Sequence, residues 1–192
     1  MIHANNSEAS RPRVLVIMGS VRAARHCEAI AGWVAGLARA CSTLTYEMID
    51  LKDWPLPMDD EPGIPAVGQY GRDHTRVWSE KVACAGGFVF VTPQYNWGYP
   101  AALKNAIDHL YKEWTGKPAV IVTYGGHGGG KCADQLRQVA DGLRMRVMAT
   151  QPQLTLSRYM IEGGPVAPEA DFPEARPAIE AAIAELAAAL GA

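Results

Sequence analysis

Three short apolar runs, each closed by glycine or proline and followed by a helical pattern, constrain the fold of this chain more than any other feature. The runs are Val14–Met18, Gly87–Val91 and Ala119–Thr123. Continuous apolar runs of this length with β-branched residues are typical of strands that are buried on both faces of a parallel sheet. Their alternation with helices predicts an α/β protein.

Two weaker segments complete the pattern. Leu44–Leu51 alternates loosely and predicts the second strand, while Arg146–Thr150, resumed around Leu154–Leu156, predicts the fifth. The spacing of apolar residues predicts helices over about 24–40, 69–85, 100–111, 132–143 and 179–190. Five strand–helix pairs with right-handed crossovers form a parallel sheet with helices on both faces. With the strand order 2-1-3-4-5, a ligand would bind beyond the carboxyl ends of the strands.

Length and composition bound the domain organisation and the partners. The chain has 192 residues, of which 48% are hydrophobic, and a net charge of -2. We expect one domain over residues 13–192, preceded by a flexible leader over the polar residues 1–12. The small net charge offers no field that attracts nucleic acid or an anionic membrane. No signal sequence or apolar run of about 20 residues is present, so we expect a cytoplasmic protein.

The four cysteines predict neither a disulfide framework nor a metal site. They stand at positions 27, 41, 84 and 132, too far apart for the CxxC spacing of metal and redox pairs. Cys41 and Cys132 each continue a helical apolar stripe, and we expect both to be small core residues.

The loop after the first strand carries groups that bind anions. Residues 19–27 contain Ser20, Arg22, Arg25 and backbone N–H groups at the start of a helix. The loop lacks both GxxxxGK[ST] and GxGxxG, so a single phosphate is a better candidate than a triphosphate or a pyrophosphate. The alternative is a helix capped by Ser20 and flanked by surface arginines.

Two further loops converge with this one if the strand order is right. Pro93–Pro100 presents aromatic and amide side chains that suit a flat heteroaromatic ligand, although Trp97 and Tyr99 could instead fill a subunit interface. The glycines of Gly125–Gly130 let backbone N–H groups approach the edge of a ring. His127 among them is interpreted as a solvated loop histidine in preference to a catalytic group.

Taken in order, these segments resemble the NADPH-dependent FMN reductase family, which includes quinone, azo-dye and chromate reductases. The resemblance covers about residues 13–190 and is carried by Gly19-Ser20-x-Arg22, Thr92–Asn96, Pro100–Asp108 and Gly125–Gly130. It implies a flavodoxin-like three-layer sandwich around a five-stranded parallel sheet. It also implies non-covalently bound FMN, with NADPH or NADH as the hydride donor.

The resemblance further implies roles for single residues. The FMN phosphate would be held by Gly19, Ser20, Arg22, Arg25, His26 and Cys27. The ring and ribityl chain would contact Pro93, Gln94, Tyr95 and Asn96, and the pyrimidine edge would contact Gly125, Gly126, His127 and Gly128. The family usually has Ser, Gly or Asn in place of His26 and Cys27. Its members form homodimers or homotetramers through the helix after Asn96, so we expect Leu103–Trp114 to supply an oligomer surface.

The expected function is hydride transfer through bound FMN to small acceptors such as quinones, azo compounds, free flavin or metal oxyanions. No catalytic side chain is expected, because the three loops contain no Ser-His-Asp series and no paired carboxylates. The main alternative is a non-enzymatic electron carrier or flavin redox sensor. A carrier would surround the ring with acids, and these loops have none from Gly125 to Cys132. A flavin-free hydrolase or phosphatase on the same architecture also stays open.

Overall fold

The computed structural model describes residues 11–58 and 60–192 and contains a sheet between two layers of helices. The strands are β1 (Arg13–Met18), β2 (Thr45–Asp50), β3 (Gly87–Pro93), β4 (Pro118–Gly125), β5 (Arg146–Val147) and β6 (Gln153–Thr155). The helices are α1 (Cys27–Cys41), α2 (Asp73–Ala83), α3 (Ala101–Asp108), α4 (Gly130–Gly142), α5 (Arg158–Ile161), α6 (Pro168–Asp171) and α7 (Arg176–Ala189). Residues 1–10 of the predicted leader lie outside the described residues.

The sheet has the predicted order β2-β1-β3-β4-β5, and its neighbouring strands are parallel. The fifth position is shared by two short strands. β5 pairs with the start of β4 at Pro118 and Ala119, and β6 pairs with its end from Thr123 to Gly125. The predicted interruption of the fifth strand is therefore confirmed, and residues 148–152 separate its two halves.

Alternate residues of each strand enter two different cores, as the period of two in a β-strand requires. Val14 and Val16 face the core formed with α1 and α7. Leu15 and Ile17 face the core formed with α2, α3 and α4. This arrangement is the predicted three-layer sandwich with helices on both faces.

The apolar side chains expected to form an oligomer surface on Leu103–Trp114 are mostly buried, because Leu103, Ile107, Leu110 and Trp114 fill the second core. α3 ends at Asp108, and the turn that follows directs Leu110 and Trp114 inward, where each is at most 1% exposed. The centroid of the Trp114 ring lies 4.8 Å from the centroid of the Phe88 ring, and the Trp114 Nε1 donates a hydrogen bond to the Ile107 carbonyl. The apolar excess of this segment therefore stabilises the monomer.

The burial of the cysteines is confirmed for Cys132 and wrong for Cys41. Cys132 is fully buried on α4, and burial raises the pKa of its thiol to about 12. Cys41 is exposed, because it is the last residue of α1 and the chain leaves the core there on its way to β2. All four cysteines are free thiols.

Candidate functional site

A cleft of about 650 Å³ opens at the carboxyl ends of β1, β3 and β4. Its volume lies within the range of small-molecule pockets, about 300–1,000 Å³. Four segments line it: the first loop (residues 19–26), the loop after β3, the end of β4 with the glycines that follow, and the C-terminal wall (residues 156–165). Of the predicted site residues, the cleft brings together Arg22, Arg25, His26, Pro93, Gln94, Tyr95, Gly125 and Gly126.

Ser20 connects two of these segments rather than capping a helix. Its hydroxyl oxygen lies 2.8 Å from the hydroxyl oxygen of Tyr95, and its side chain is fully buried. α1 begins at Cys27, and its N-cap residue, His26, makes no side-chain capping hydrogen bond. The alternative of a Ser20-capped helix is therefore wrong. The first N–H groups of α1 have no side-chain cap and could meet an anion.

Arg22 is exposed at the mouth of the cleft. Its guanidinium carbon lies 3.7 Å from the centroid of the Tyr95 ring, a cation–π contact. Within residues 11–58 and 60–192, no carboxylate forms an ion pair with Arg22. Its planar set of N–H donors is suited to binding phosphate.

Arg25 lines the same cleft, but its charge is already balanced. The guanidinium donates hydrogen bonds to both carboxylate oxygens of Asp50, to Glu28 and to the Ser20 carbonyl. Burial raises the pKa of the Asp50 carboxyl, but hydrogen bonds from Arg25 and from the Lys52 N–H outweigh burial and hold that pKa below its ordinary value. These contacts do not favour the predicted role of Arg25 as a direct phosphate ligand.

The two residues that depart from the family pattern have different surroundings. His26 Nε2 lies 2.9 Å from the Met160 carbonyl, to which it must donate, and this bond joins the first loop to the C-terminal wall. Cys27 is fully buried in the core beneath the cleft, and its thiol donates to the Val91 carbonyl. Burial raises the pKa of the Cys27 thiol. Cys27 therefore packs beneath the cleft and does not line it.

The loop after β3 closes in a tight two-residue turn. Tyr95 and Gly98 exchange two backbone hydrogen bonds of 2.8 and 2.9 Å, while Asn96 and Trp97 adopt positive φ angles of 48° and 73°. Such a conformation is strained for a bulky residue like Trp97. The Trp97 side chain is 57% exposed, and the Lys131 ammonium lies 4.1 Å from its ring centroid. Asn96 is also exposed and does not line the cleft.

The glycine loop after β4 meets the cleft only at its start. Gly125 and Gly126 line it, while His127 is exposed away from it, and Gly128 is buried with its carbonyl accepting from Thr123. Gly129 has a φ of 93°, and a Cβ there would lie 2.7 Å from the Thr123 Cβ. Only glycine closes this turn without strain. The interpretation of His127 as a solvated loop histidine agrees with its exposure.

The sequence motifs predict no site residue on the C-terminal wall. Leu156, Met160, Ile161 and Glu162 line the cleft there, and the Leu156 N–H donates to the Gly125 carbonyl at 2.9 Å. Its one local signal is the turn sequence Gly163-Gly164-Pro165, which marks a loop and no particular ligand. Tyr124 also lines the cleft; burial and the neighbouring Cys27 raise the pKa of its hydroxyl far above the usual range.

This fold and site define a flavodoxin-like protein whose cleft lies beyond the carboxyl ends of its parallel strands. The family model for NADPH-dependent FMN reductase matches residues 12–157. The NAD(P)H-dependent FMN reductase of Schizosaccharomyces pombe is 58% identical over 163 residues, which cover 84% of this chain and 82% of that protein. The quinone reductase of Escherichia coli is 31% identical over 144 residues, or 71% of this chain and 73% of that protein.

A solved flavoenzyme NAD(P)H:(acceptor) oxidoreductase from Paracoccus denitrificans, FerB, has a TM-score of 0.69 at 19% identity. The match covers 91% of this chain and 97% of that one, and it supports the flavodoxin-like fold. The chain belongs to the NADPH-dependent FMN reductase family. It is therefore an oxidoreductase that uses FMN and NAD(P)H.

Proposed function

We propose that the cleft is the FMN site of an enzyme that passes hydride from NAD(P)H to quinones or free flavin. The observation that carries the proposal is Arg22, an exposed cation stacked on Tyr95 at the mouth of the cleft, with no ion-pair partner in the part of the chain that the structure describes. A single phosphate supplies the charge that this guanidinium lacks.

The residues present fit the rest of FMN as well. Pro93, Gln94 and the Gly125–Gly126 backbone provide a wall without charged side chains for a ring system. The N–H groups of Gly126 and His127 have no acceptor among the described residues and could donate to a polar ring edge. A Cβ on Gly126 would lie 3.1 Å from Ile161 Cδ1, so the absent side chain keeps this edge of the cleft open.

Bound FMN supplies the hydride chemistry, and the chain binds and orients it. Arg22 and the free N–H groups at the start of α1 would hold the phosphate. Ser20, through its hydrogen bond to Tyr95, would fix the position of the phosphate end of the cleft relative to the ring end. The C-terminal wall would narrow the space beside the ring and limit the entry of water.

An absorbance and reduction experiment tests this function. The purified protein is titrated with FMN, and the flavin-loaded protein is then titrated anaerobically with NADPH and with NADH. Stoichiometric FMN binding, bleaching by either nucleotide and reoxidation by a quinone are the expected results. A protein that binds no flavin would contradict the proposed site. A protein that binds FMN but accepts no hydride from either nucleotide would instead indicate the electron-carrier or sensor alternative.

We further propose that the protein acts in the cytoplasm as a homodimer or homotetramer. Among the described residues, no helix has the length and apolar character needed to cross a membrane. Exposed apolar side chains at Met58, Ile64, Val67 and Val77, on the loop after β2 and on α2, offer a surface for a second copy. Light scattering at micromolar concentration tests the assembly, and a monomer mass with FMN bound would exclude it. Cell fractionation tests the location.

A further inference from the structure

The Arg25 side chain ties three separate elements together beneath the first loop. It donates to the Ser20 carbonyl at 2.6 Å, to Asp50 at the end of β2, and to Glu28 in the first turn of α1. Only 2% of the Arg25 side chain is exposed, against 18% for Asp50 and 61% for Glu28. Neither the sequence motifs nor the family resemblance singled out Asp50.

The two arginines of the first loop therefore differ in what their charge can do. Arg22 has no ion-pair partner among the described residues, whereas Arg25 faces two carboxylates. A phosphate that reached Arg25 would have to displace a carboxylate or lie beside it, which like charges oppose. Arg25 is therefore poorly placed to bind an anion, although it lines the cleft.

The contact with Ser20 shows what Arg25 does instead. The C=O of Ser20 and the N–H of Val21 belong to one planar trans peptide unit and point in opposite directions. By holding the Ser20 carbonyl, Arg25 turns the Val21 N–H away from itself. That N–H has no acceptor in the described part of the chain, so it is available to a ligand.

We propose that Arg25 and Asp50 are a positioning pair, which holds the first loop in the shape that binds phosphate without touching the ligand. The inference rests on the proposed FMN site. It predicts that the pair controls affinity for the phosphate of FMN and leaves affinity for the ring almost unchanged. Asp50 is the anchor, because it belongs to the rigid end of a strand that is paired along its whole length with β1.

The charges around the pair are consistent with this role. Lys52 adds a positive charge near Asp50, and Glu28, Cys27 and Tyr124 surround Arg25. Burial tends to lower the pKa of Arg25, but Asp50 and Glu28 outweigh burial and raise it. Both partners are therefore charged at neutral pH, and the pair is intact under the conditions of the test.

The test compares the affinities of the parent protein and of Asp50→Asn for FMN and for riboflavin, which lacks the phosphate. A positioning role predicts that Asp50→Asn binds FMN about tenfold more weakly, as for one lost charge-assisted contact, with riboflavin affinity within about twofold of the parent. A direct ligand role for Arg25 predicts the opposite sign, because the amide would release the guanidinium and FMN would bind more tightly. Asp53→Asn, the same change on an exposed carboxylate three residues later, is the matched control.

A second variant covers the case in which Asp50→Asn does not fold, which thermal denaturation would reveal. Arg25→Lys keeps the positive charge but cannot reach both Asp50 oxygens and the Ser20 carbonyl at once. The positioning role predicts a selective loss of FMN affinity in this variant too. A ratio of FMN to riboflavin affinity that equals the parent's in a folded variant, or tighter FMN binding, would overturn the inference. A parent protein that binds neither flavin would overturn the proposed site instead.

Discussion

The two sides of the cleft are built in opposite ways. The first loop is fixed from below by the Arg25–Asp50 ion pair and from the side by the Ser20–Tyr95 hydrogen bond. The C-terminal wall carries the four-residue helix α5, and its contacts with the other cleft segments include the His26–Met160 and Leu156–Gly125 bonds. Ile161 and Tyr159 on that wall are 58% and 64% exposed. A fixed side suits a constant group such as a phosphate, and a lightly held apolar side suits acceptors of varied shape.

Arg22→Ala gives the largest expected effect and tests the fixed side. Loss of one charge-assisted contact costs about 1.5–3 kcal/mol, so FMN should bind roughly 10- to 150-fold more weakly. Isothermal titration or fluorescence quenching measures the dissociation constant. Arg11→Ala, an exposed arginine before β1, serves as the control and should match the parent. Equal FMN dissociation constants for both variants and the parent would show that the first loop does not bind FMN.

Gly126→Asp tests the point where the two sides meet. The new Cβ would lie 3.1 Å from Ile161 Cδ1, the far end of a flexible side chain, so its steric cost is small. The carboxylate would oppose the negative charge that the flavin gains on reduction, by about 1 kcal/mol at a site open to water. Spectroelectrochemistry should show a lower FMN midpoint potential. Gly126→Ala isolates the steric part, and an unchanged potential in the aspartate variant would place this loop away from the ring.

Ile161→Ala tests the lightly held side. Removing this half-exposed side chain should raise KM for a quinone by about two- to fivefold, because the wall loses apolar contact worth roughly 1 kcal/mol or less. FMN affinity should move less than KM. Glu174→Ala, at an exposed position that lines neither the cleft nor the proposed subunit surface, is the control. If FMN affinity falls while KM stays constant, the division of roles between the two sides is wrong.

His127→Ala is expected to have the smallest effect. The side chain is exposed and does not line the cleft, so FMN affinity and steady-state quinone reduction should each stay within about twofold of the parent. A tenfold loss of activity with normal flavin binding would give this histidine a role in the reaction, and the glycine loop would then belong to the chemistry.

Most of the fold could be predicted from the sequence because its signals are local. The three continuous apolar runs became β1, β3 and β4, since strands that are buried on both faces of a parallel sheet read as such runs. The inward turn of Leu110 and Trp114 could not be predicted in this way, because the helical spacing continues past the actual end of α3 at Asp108. The helices α5 and α6 have four residues each, which is too short for periodicity to be detected.

In the site too, local motifs predict some residues, and tertiary contacts bring the others in. Ser20, Arg22 and Tyr95 lie in contiguous motifs, which the family resemblance carries. The partner of Arg25 lies 25 residues away at the end of another strand, and no local pattern connects the two. The C-terminal wall reaches the cleft only because β6 runs beside the end of β4, a contact that appears once the sheet is assembled.

The fifth position of the sheet is divided between two short strands, and this division limits how the sheet can pair with strands of other molecules. β5 has two residues and β6 has three, and between them the N–H groups of Ala149 and Thr150 turn away to the Glu185 carboxylate on α7. This border of the sheet therefore offers no long row of free N–H and C=O groups to another strand, and proteins avoid edge-to-edge aggregation by such interruptions. A broken border strand should thus help to keep this protein from forming fibrils.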